Sequence, residues 1–555
     1  NYAYTGVINV ITKKEAISRV EPEHLEQFLF PIFDPDDKKK FNILTKGLAA
    51  SPGAASGLVA LDAQTAVELS KQGKRVVLVT KETSPDDIHG MSAASGLLTA
   101  RGGRTSHAAV VGRQMGKVCV VGAEEIKVNL KSRTFSVDDE IVNEGDYISI
   151  DGFEGKVFKG DIPVVASEVI QVMQGNMKEV SSERYSIFST ILKWSDAFKR
   201  LKIRTNADVP ADAEVAIKFG AEGIGLCRTE HMFFAEDRIK IMQDMILSTN
   251  AKDRIKYLNQ LQKMQKEDFI GLFTTMKGFP CTIRLLDPPL HEFLPKREEL
   301  MLEVRELEIL GNEKKKLDEK RLLLERVEEL HEFNPMLGLR GCRLGITMPE
   351  ITAMQARAIF EAAIEVSKKK IKVVPEIMIP LVGMVTEFKV QKNIIEETAK
   401  EVLGKKKIKY MIGTMIEVPR ATTVADQIAK EAEFFSFGTN DLTQTVFAYS
   451  RDDAGKFINH YLEEKVELNG KTIEILEKDP FTSIDIEGVG ELMKLGLNKG
   501  KSARKNLKVG ICGEHGGDPS SIDFCHEIGL DYVSCSPFRV PIARLAAARI
   551  AIKDS

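Results

Sequence analysis

The sequence of 555 residues predicts an α/β protein in which a β-rich domain precedes a (β/α)8 barrel of the TIM type. Short β-rich runs separated by Gly, Asp and Pro fill residues 46–160. From residue 201 onward, eight short apolar segments alternate with helical stretches. Eight such alternations over about 350 residues are typical of a (β/α)8 barrel with insertions.

The composition excludes several other classes of protein. Lys and Arg number 78 against 81 Asp and Glu, and the net charge of −3 gives no reason to expect nucleic acid. No apolar run approaches the ~18 residues of a membrane span. The seven cysteines form no C-x-x-C pair. This pattern is typical of separate, reduced thiols, so we expect a cytoplasmic protein that binds neither membrane nor nucleic acid.

The first 45 residues are predicted to be helical. Thr12 to Glu15 form a capping box ahead of AISRV, and Pro31 and Pro35 interrupt the helical pattern that follows. The first residues, NYAYTGVINV, show no basic segment before an apolar core, which argues against a signal peptide. They also lack an initiator Met, so we expect the chain to begin inside a longer gene product.

The segments that follow differ in their residue patterns. Residues 46–160 end in DGFEGKVFKGD, a pattern typical of a hairpin, and residues 161–200 are mostly polar and helical, which favours a connecting arm. The densely charged stretch 296–330 is interpreted as a solvated helical hairpin inserted before the fourth barrel strand.

Polar residues end most of the apolar segments of the predicted barrel. The eight segments are LKIRTNAD, GIGLCRTE, TIRLLDPP, LRGCRLGI, EIMIPLVG, MIGTMIEVP, FFSFGTND and KVGICGEH. Their terminal polar residues are Asp208, Arg228, Arg284 with Asp287, Arg343, Glu417, Asn440 with Asp441, and Cys512 with Glu514. Side chains at the carboxyl ends of barrel strands converge on one mouth, where barrel enzymes keep their chemistry. We therefore predict an active site there.

A second candidate site surrounds one of the nine histidines, His107, in TARGGRTSHAAVVGRQMGK. Gly102 and Gly103 let the backbone approach a charged ligand, and Thr105 and Ser106 supply hydroxyl groups. HAAVVGRQ is typical of a first helical turn, whose N-terminus favours phosphate. An imidazole there can accept a phosphoryl group and pass it on, so His107 is the predicted acceptor.

Ten motifs together carry a family resemblance. They are SPGAASG, GGRTSHAAVVGRQMGK, GIGLCRTEHMFF, IRLLDPPLHEFLP, NPMLGLRGCRLGI, EIMIPLVG, GTMIEVPRA, FFSFGTNDLTQ, ICGEHGGDPSS and YVSCSPFRVPIARLAAA. With them the chain resembles, over nearly its whole length, the pyruvate phosphate dikinases of the phosphohistidine, phosphoenolpyruvate (PEP)-utilising superfamily. Arg104 departs from the methionine of that family and is closer to PEP synthase and to enzyme I of the sugar phosphotransferase system.

The resemblance implies a swivelling phosphohistidine β/β/α domain over 46–160, a helical linker over 161–200 and a PEP/pyruvate-binding TIM barrel over 201–555. Residues 1–45 resemble the end of an ATP-grasp nucleotide domain and the linker after it. The chain is then expected to carry the PEP/pyruvate half-reaction and not to bind ATP. Full-length family members convert ATP, phosphate and pyruvate into AMP, diphosphate and PEP. The resemblance also implies a homodimer formed through the barrel.

This chemistry requires cations for the transferred phosphoryl group, and strand-terminal arginines meet the need. Arg228 and Arg284 fit because guanidinium groups bind phosphate and carboxylate bidentately. Arg340 and Arg343 either hold the site or pair with neighbouring carboxylates, and the sequence leaves both possibilities open.

The enolate of pyruvate also calls for a divalent cation, and the resemblance implies that Glu417 and Asp441 coordinate Mg²⁺. Asn440, beside Asp441, can donate to the pyruvate carboxylate, with help from the backbone of Gly438 and Thr439. Capping of a loop by the Asn-Asp pair is the alternative.

Cys512 matches the acid/base cysteine of the family, a role that a thiol can fill if positive groups and the metal site lower its pKa from ~8.5. Cys535 is a weaker candidate, and Glu514 and His515 are expected to support the site. Thr105 matches a regulatory phosphorylation site of plant relatives, with capping of the helix as the alternative.

Three other functions compete with the dikinase assignment. An enzyme I-like phosphocarrier would need a helical insertion between SPGAASG and His107, where only strand-like sequence lies. PEP synthase differs mostly in the nucleotide-binding part. A catalytically inactive dimeric scaffold is disfavoured because His107, Arg228, Glu417 and Cys512 are all present.

Overall fold

The structure is a computed structural model. It describes residues 11–83, 87–103, 106, 108–109, 112, 115–248, 250–311, 313–455, 457–463, 465–468 and 471–554. The chain forms two compact units. One comprises Asn1–Ala197 with Tyr449–Asp479, and the other Phe198–Ala448 with Pro480–Ser555.

The segment predicted to be helical also contains the strand Ile32–Phe33 and the start of the strand Ile43–Lys46, but short helices open the described part of the first unit. They are Lys13–Arg19, Pro22–Glu26 and Pro35–Lys38. The Thr12 hydroxyl accepts the Glu15 N–H at 3.1 Å, so the predicted capping residue does begin the first helix. The strand Ile32–Phe33 pairs with Val164–Val165.

A mixed eight-stranded sheet forms the core of the first unit. Its strands in chain order are β1 Ile43–Lys46, β2 Leu48–Ser51, β3 Ala54–Ala60, β4 Val76–Thr80, β5 Gly96–Thr99, β6 Val118–Val121, β7 Tyr147–Asp151 and β8 Lys156–Lys159. Their spatial order is β1-β8-β7-β3-β4-β5-β6-β2, with β3 to β6 parallel. A Cβ at Gly57 would lie 2.7 Å from the Arg75 backbone, so β4 can approach β3 this closely only beside glycine.

The predicted closing hairpin is β7 and β8, which pair from Asp151 opposite Lys156. A smaller antiparallel sheet consists of Lys127–Asn129, Thr134–Val137 and Glu140–Asn143. The other described helices of this unit are Ala63–Lys71, Ile88–Ala93, Glu168–Met173, Glu183–Phe198, Arg451–Ala454 and Ile458–Glu463. A hairpin of Lys465–Leu468 and Lys471–Glu474 completes the unit. The helical prediction for 161–200 is confirmed.

The second unit is a closed barrel of eight parallel strands. They are β9 Lys202–Asn206, β10 Ile224–Arg228, β11 Pro280–Arg284, β12 Val374–Ile379, β13 Met411–Ile416, β14 Phe434–Phe437, β15 Lys508–Ile511 and β16 Tyr532–Cys535. β16 pairs with both β15 and β9, which closes the barrel. The predicted (β/α)8 architecture is confirmed.

Two strand assignments differ from the prediction. LRGCRLGI forms no strand, because Gly341 turns the chain with φ +58° and the helix Cys342–Thr347 follows. The eighth strand is instead β16, four buried residues that the strand pattern missed. Apolar runs this short do not distinguish strand from helix. Consequently Glu417 follows the fifth strand rather than the sixth, and Cys512 follows the seventh rather than the eighth.

Helices surround the barrel. The charged insertion is a helical hairpin of α1 (Arg297–Leu310) and α2 (Lys314–Leu330), as predicted, and it precedes β12. Three more helices bear on the site: α3 (Pro349–Lys368), α4 (Val385–Leu403) and α5 (Thr439–Phe447). The remaining α-helices described in this unit are Pro210–Lys218, Glu236–Leu247, Ala251–Met276, Pro419–Thr423, Ala425–Ala429, Glu491–Ala503, Pro519–Glu527 and Val540–Lys553. Of all the helices described, none combines the length and apolar character needed to cross a membrane.

Candidate active site

A buried cluster of charges lies at the carboxyl ends of the barrel strands. Arg284 ends β11, and its guanidinium pairs with Glu230 and, at 2.8 Å, with Asp287. Arg340 pairs with the same Asp287 at 2.5 Å and with Asp441 at 3.0 Å. Asp287 therefore joins two arginines, and Arg340 extends the cluster to the segment after β14.

Asp287 is ionised in this setting. Burial alone would raise its pKa, but Arg284 and Arg340 outweigh burial, and the pKa of Asp287 lies below its usual range. The carboxylate holds both guanidinium groups in fixed positions. Its Oδ1 is buried and accepts no hydrogen bond from the described residues.

Arg228 differs from the other two arginines. It ends β10 half-buried, and its guanidinium makes no ion pair or hydrogen bond with the described part of the chain. Its backbone N–H is fixed instead, because it donates to Asp208 Oδ1 at 2.6 Å. The second oxygen of Asp208 lies 2.8 Å from His231 Nδ1. The guanidinium of Arg228 is thus available to an anionic ligand.

Glu417 lies directly after β13 and is 1% exposed. Its Oε1 accepts the Leu381 N–H at 2.6 Å, and its buried Oε2 has no partner within the described ranges. Burial, together with Asp441 and Asp287, raises the pKa of Glu417 well above its usual value. A Cβ on Gly438 would lie 2.8 Å from Glu417 Oε2, so glycine keeps this oxygen accessible.

The segment 438–441 leads from β14 into α5. Thr439 is buried, and its hydroxyl lies 2.6 Å from His515 Nδ1. His515 Nε2 lies 2.9 Å from the Pro480 carbonyl, which can only accept, so Nε2 carries the proton and Nδ1 accepts from Thr439. His515 therefore holds Thr439 in place. Asn440 and Asp441 are half-buried beside it, whereas Glu514 is exposed.

The positive groups of the mouth do not by themselves lower the pKa of Cys512. The thiol is 1% exposed and lies 3.7 Å from the Phe437 carbonyl. Burial raises its pKa to about 11, because the nearby Arg284 and Arg228 only partly offset the loss of water. Cys512 is accordingly a protonated thiol at neutral pH, which suits an acid rather than a base.

The other six cysteines are buried as well. Cys535 is buried, and burial raises its pKa to about 12. Cys119, Cys227, Cys281 and Cys342 are also buried.

The sequence interpretation missed several members of the cluster. Glu230 was given no role, although it follows Arg228 by two residues, and that proximity to a strand end was the available signal. Asn206 ends β9, and its amide donates to the Cys512 carbonyl at 3.3 Å. Arg340 was left undecided, and the structure places it in the cluster. Arg343 instead donates to the Leu337 and Gly338 carbonyls at 2.9 Å.

His107, Thr105 and Arg104 lie outside the described residues. Of their neighbours, Gly102 adopts φ +114°, and a Cβ there would lie 2.8 Å from that of Ser106. The Ser106 N–H donates to the Gly103 carbonyl at 3.1 Å. Residues 108, 109 and 112 are helical, in agreement with the predicted helix after the histidine.

Two family models match the chain. Residues 182–552 match the family model described as PEP-utilising enzyme, PEP-binding domain. The chain belongs to the PEP-utilising enzymes. Residues 72–155 match the mobile domain of the same enzymes. All the charged residues of the mouth fall within the PEP-binding match, and position 107 falls within the mobile-domain match.

Individual PEP-utilising enzymes are similar over 98% of this chain. The pyruvate, phosphate dikinase of Rhizobium meliloti (strain 1021) is 52% identical over 546 residues, which cover 57% of that protein. The enzymes of the same name from Clostridium symbiosum and Entamoeba histolytica are each 51% identical over 548 residues, or 59% of their lengths. The chain thus spans less than two thirds of the length of these relatives.

Proposed function

We propose that this chain moves a phosphoryl group between His107 and the enolate oxygen of pyruvate, interconverting PEP and pyruvate as part of a pyruvate, phosphate dikinase. The observation that carries the proposal is the barrel mouth. Near the protonated thiol of Cys512 lie the Arg228 guanidinium, which pairs with no described residue, and the buried Glu417 carboxylate, whose Oε2 has no partner among the described residues. The similarity to dikinases over 98% of the chain supports it.

In the direction from PEP to pyruvate, the bond between phosphorus and the enol oxygen breaks and a bond from phosphorus to the His107 imidazole forms. Arg228 binds the phosphoryl oxygens, since its guanidinium has no competing partner in the described chain. Arg284, fixed by Glu230 and Asp287, faces the same charge from a rigid position.

The enolate left behind takes a proton at its methylene carbon. Cys512 Sγ–H is the donor, because the thiol stays protonated at neutral pH and the electron pair of the enolate accepts the proton. Asn440, with the backbone of Gly438 and Thr439, binds the carboxylate of pyruvate. His515 keeps Thr439 in place for this purpose.

The residues present fit a divalent cation. Glu417 Oε2 is buried and unpartnered in the described structure. Burial and the neighbouring carboxylates raise the pKa of Glu417, and a cation would offset both effects. Glu417 and Asp441 would hold Mg²⁺, with Asp441 keeping its contact to Arg340. When bound, the ion supplies charge stabilisation for the enolate oxygen.

The full reaction with ATP and phosphate, the homodimer formed through the barrel, the cytoplasmic location and the regulatory role of Thr105 are proposed on the family resemblance. An enzyme I-like carrier is not favoured. Between Gly57 and Gly103, the described residues form the end of β3, the strands β4 and β5 and the short helices Ala63–Lys71 and Ile88–Ala93, with no larger helical insertion among them.

Incubation of the chain with [³²P]PEP and Mg²⁺ tests the proposal. We expect acid-labile label on His107 and an equal amount of released pyruvate. His107→Asn should take up no label, whereas His89→Asn, a matched change of an exposed histidine in the same unit, should label normally. Equal labelling of His107→Asn would refute the assignment.

A further inference from the structure

Two buried glutamines lie on neighbouring helices behind the barrel mouth. Gln355 on α3 and Gln391 on α4 are each 1% exposed. Both line a cavity of about 10 Å³ that also borders Leu286 and Thr352. A buried amide is costly unless its polar atoms have partners, so the contacts of the two side chains indicate what each one does.

Gln355 makes contacts at both ends of its amide. Its Oε1 accepts the Leu286 N–H at 2.8 Å, and its Nε2 donates to Thr229 Oγ1 at 2.9 Å. The same Nε2 lies 3.5 Å from Gln265 Oε1. One side chain therefore joins the segment after β10 to the segment after β11.

These two segments carry charged residues of the mouth. Thr229 lies between Arg228 and Glu230, and Leu286 directly precedes Asp287. The Glu230–Arg284 ion pair joins the same segments on the side of the site. The amide of Gln355 ties them together from behind, where substrate does not reach.

Gln391 lines the same cavity, but only one end of its amide has a hydrogen-bond partner among the described residues. Its Oε1 accepts the Thr352 hydroxyl at 2.7 Å, and its Nε2 has no partner among the residues described. Its hydrogen bond therefore joins α4 to α3 only. Loss of its amide should leave the segments after β10 and β11 in place.

We propose that Gln355 is a positioning residue that fixes the spacing of Arg228 and Arg284 for the transferred phosphoryl group. This inference rests on the proposed function, because it assigns Gln355 a role in that same phosphoryl transfer. A small shift of either guanidinium lowers the transfer rate more than the affinity for PEP, since charge develops at fixed positions only in the transition state.

The test compares Gln355→Met with Gln391→Met in the full chain. Methionine keeps the length and approximate volume of glutamine but removes both hydrogen-bonding ends. We expect the rate of labelling by [³²P]PEP at saturation to fall at least tenfold in Gln355→Met, with less than a threefold change in half-saturating PEP. Gln391→Met should stay within threefold of the wild type in both quantities.

Thr229→Val supplies a second measurement if Gln355→Met folds poorly. It removes the hydroxyl that Gln355 Nε2 contacts and leaves Arg228 and Glu230 unchanged. We expect a smaller loss of rate that does not add to the loss in Gln355→Met, because both changes break one contact. Additive losses in the double variant would overturn the inference.

The outcomes separate this inference from the proposed function. A wild-type chain that takes no label overturns the proposed function, and the role of Gln355 with it. A wild-type chain that labels normally while both methionine variants behave alike overturns the role of Gln355 alone. Equal loss in rate and affinity, with a matching drop in the unfolding temperature, would do the same.

Discussion

The barrel buries charge at two levels, and the two clusters differ in how completely their carboxylates are paired. Towards the amino ends of the strands, Glu376 Oε2 accepts from Arg204 and from Thr282, both at 2.8 Å, and its Oε1 pairs with Lys508. Arg204 also stacks 4.2 Å above the centre of the Tyr532 ring. Both oxygens of this carboxylate are used inside the protein.

At the mouth, three carboxylates each keep one buried oxygen without a partner among the described residues, namely Glu230 Oε2, Asp287 Oδ1 and Glu417 Oε2. Leaving a buried oxygen unpaired costs about 1–3 kcal/mol, and more when it is charged. In the lower cluster, around Glu376, both carboxylate oxygens are paired, whereas in the upper cluster, at the mouth, each of the three carboxylates keeps one oxygen unpaired among the described residues. This difference supports the proposal that the mouth binds a cation, because carboxylate oxygens are acceptors that a cation can use.

Removing one charge from the mouth should produce the largest loss of activity. Glu417→Gln can keep the hydrogen bond from Leu381 but removes the charge that a cation requires. We expect PEP-dependent release of pyruvate to fall by roughly 10²–10³-fold. The unfolding temperature should be unchanged or higher, because repulsion from Asp441 and Asp287 is relieved. A large drop in unfolding temperature would show that the mouth is a structural cluster like the lower one.

The matching change in the lower cluster should reduce the stability of the fold rather than the activity. Glu376→Gln leaves Arg204 and Lys508 buried without their counter-charge, and we expect a loss of about 3–5 kcal/mol in the free energy of unfolding. Pyruvate release per folded molecule at low temperature should stay within threefold of the wild type. Urea unfolding, combined with assays at 10 °C, measures both quantities. Loss of activity without loss of stability would contradict the contrast between the clusters.

A substitution of Cys512 tests the proposed proton transfer at the mouth. Cys512→Ala should slow exchange of solvent protons into the pyruvate methyl group by about 10²-fold, because the Cys512 thiol is the proposed proton donor. Because the pKa of Cys512 is raised to about 11, the thiol stays protonated, and the wild-type exchange rate should show no thiol ionisation between pH 7 and about 9. Cys535→Ala, at another buried cysteine, is the control and should exchange normally.

Lys508 allows a smaller test through pH. Burial lowers its pKa to about 8, because the loss of water and the nearby Arg204 outweigh Glu376. In the unfolded chain its pKa is about 10.4. Between these values the unfolded state binds more protons, so this group makes folding more favourable as pH rises. The stability of the wild type relative to Lys508→Met should therefore increase by up to about 1.4 kcal/mol per pH unit between pH 8 and 10. Parallel stability curves would contradict the lowered pKa.

Sequence reasoning located the mouth because strand-terminal polar residues such as Arg228, Glu417 and Asp441 are a local signal, and barrel topology brings strand ends together. It failed at LRGCRLGI because a short apolar run fits a helix as well as a strand. The same failure left the role of Arg340 open, because Arg340 reaches the mouth from the turn before a helix rather than from a strand end.

Whether the pKa of Cys512 is raised or lowered could not be predicted from the sequence either. Nearby arginines argue for a lower value, and only the extent of burial decides that desolvation prevails. No sequence pattern indicates a role for Gln355, since its partners Thr229 and Leu286 lie 126 and 69 residues away along the chain.

By itself, the sequence determined the (β/α)8 barrel, the β-rich domain before it and the residue types offered at the mouth, because the alternation of apolar and polar residues follows from local geometry. Only the tertiary structure decided which charges are paired, which oxygens stay free and which thiol keeps its proton. Those properties depend on distance and on the exclusion of water, and both arise only when segments far apart in the chain meet.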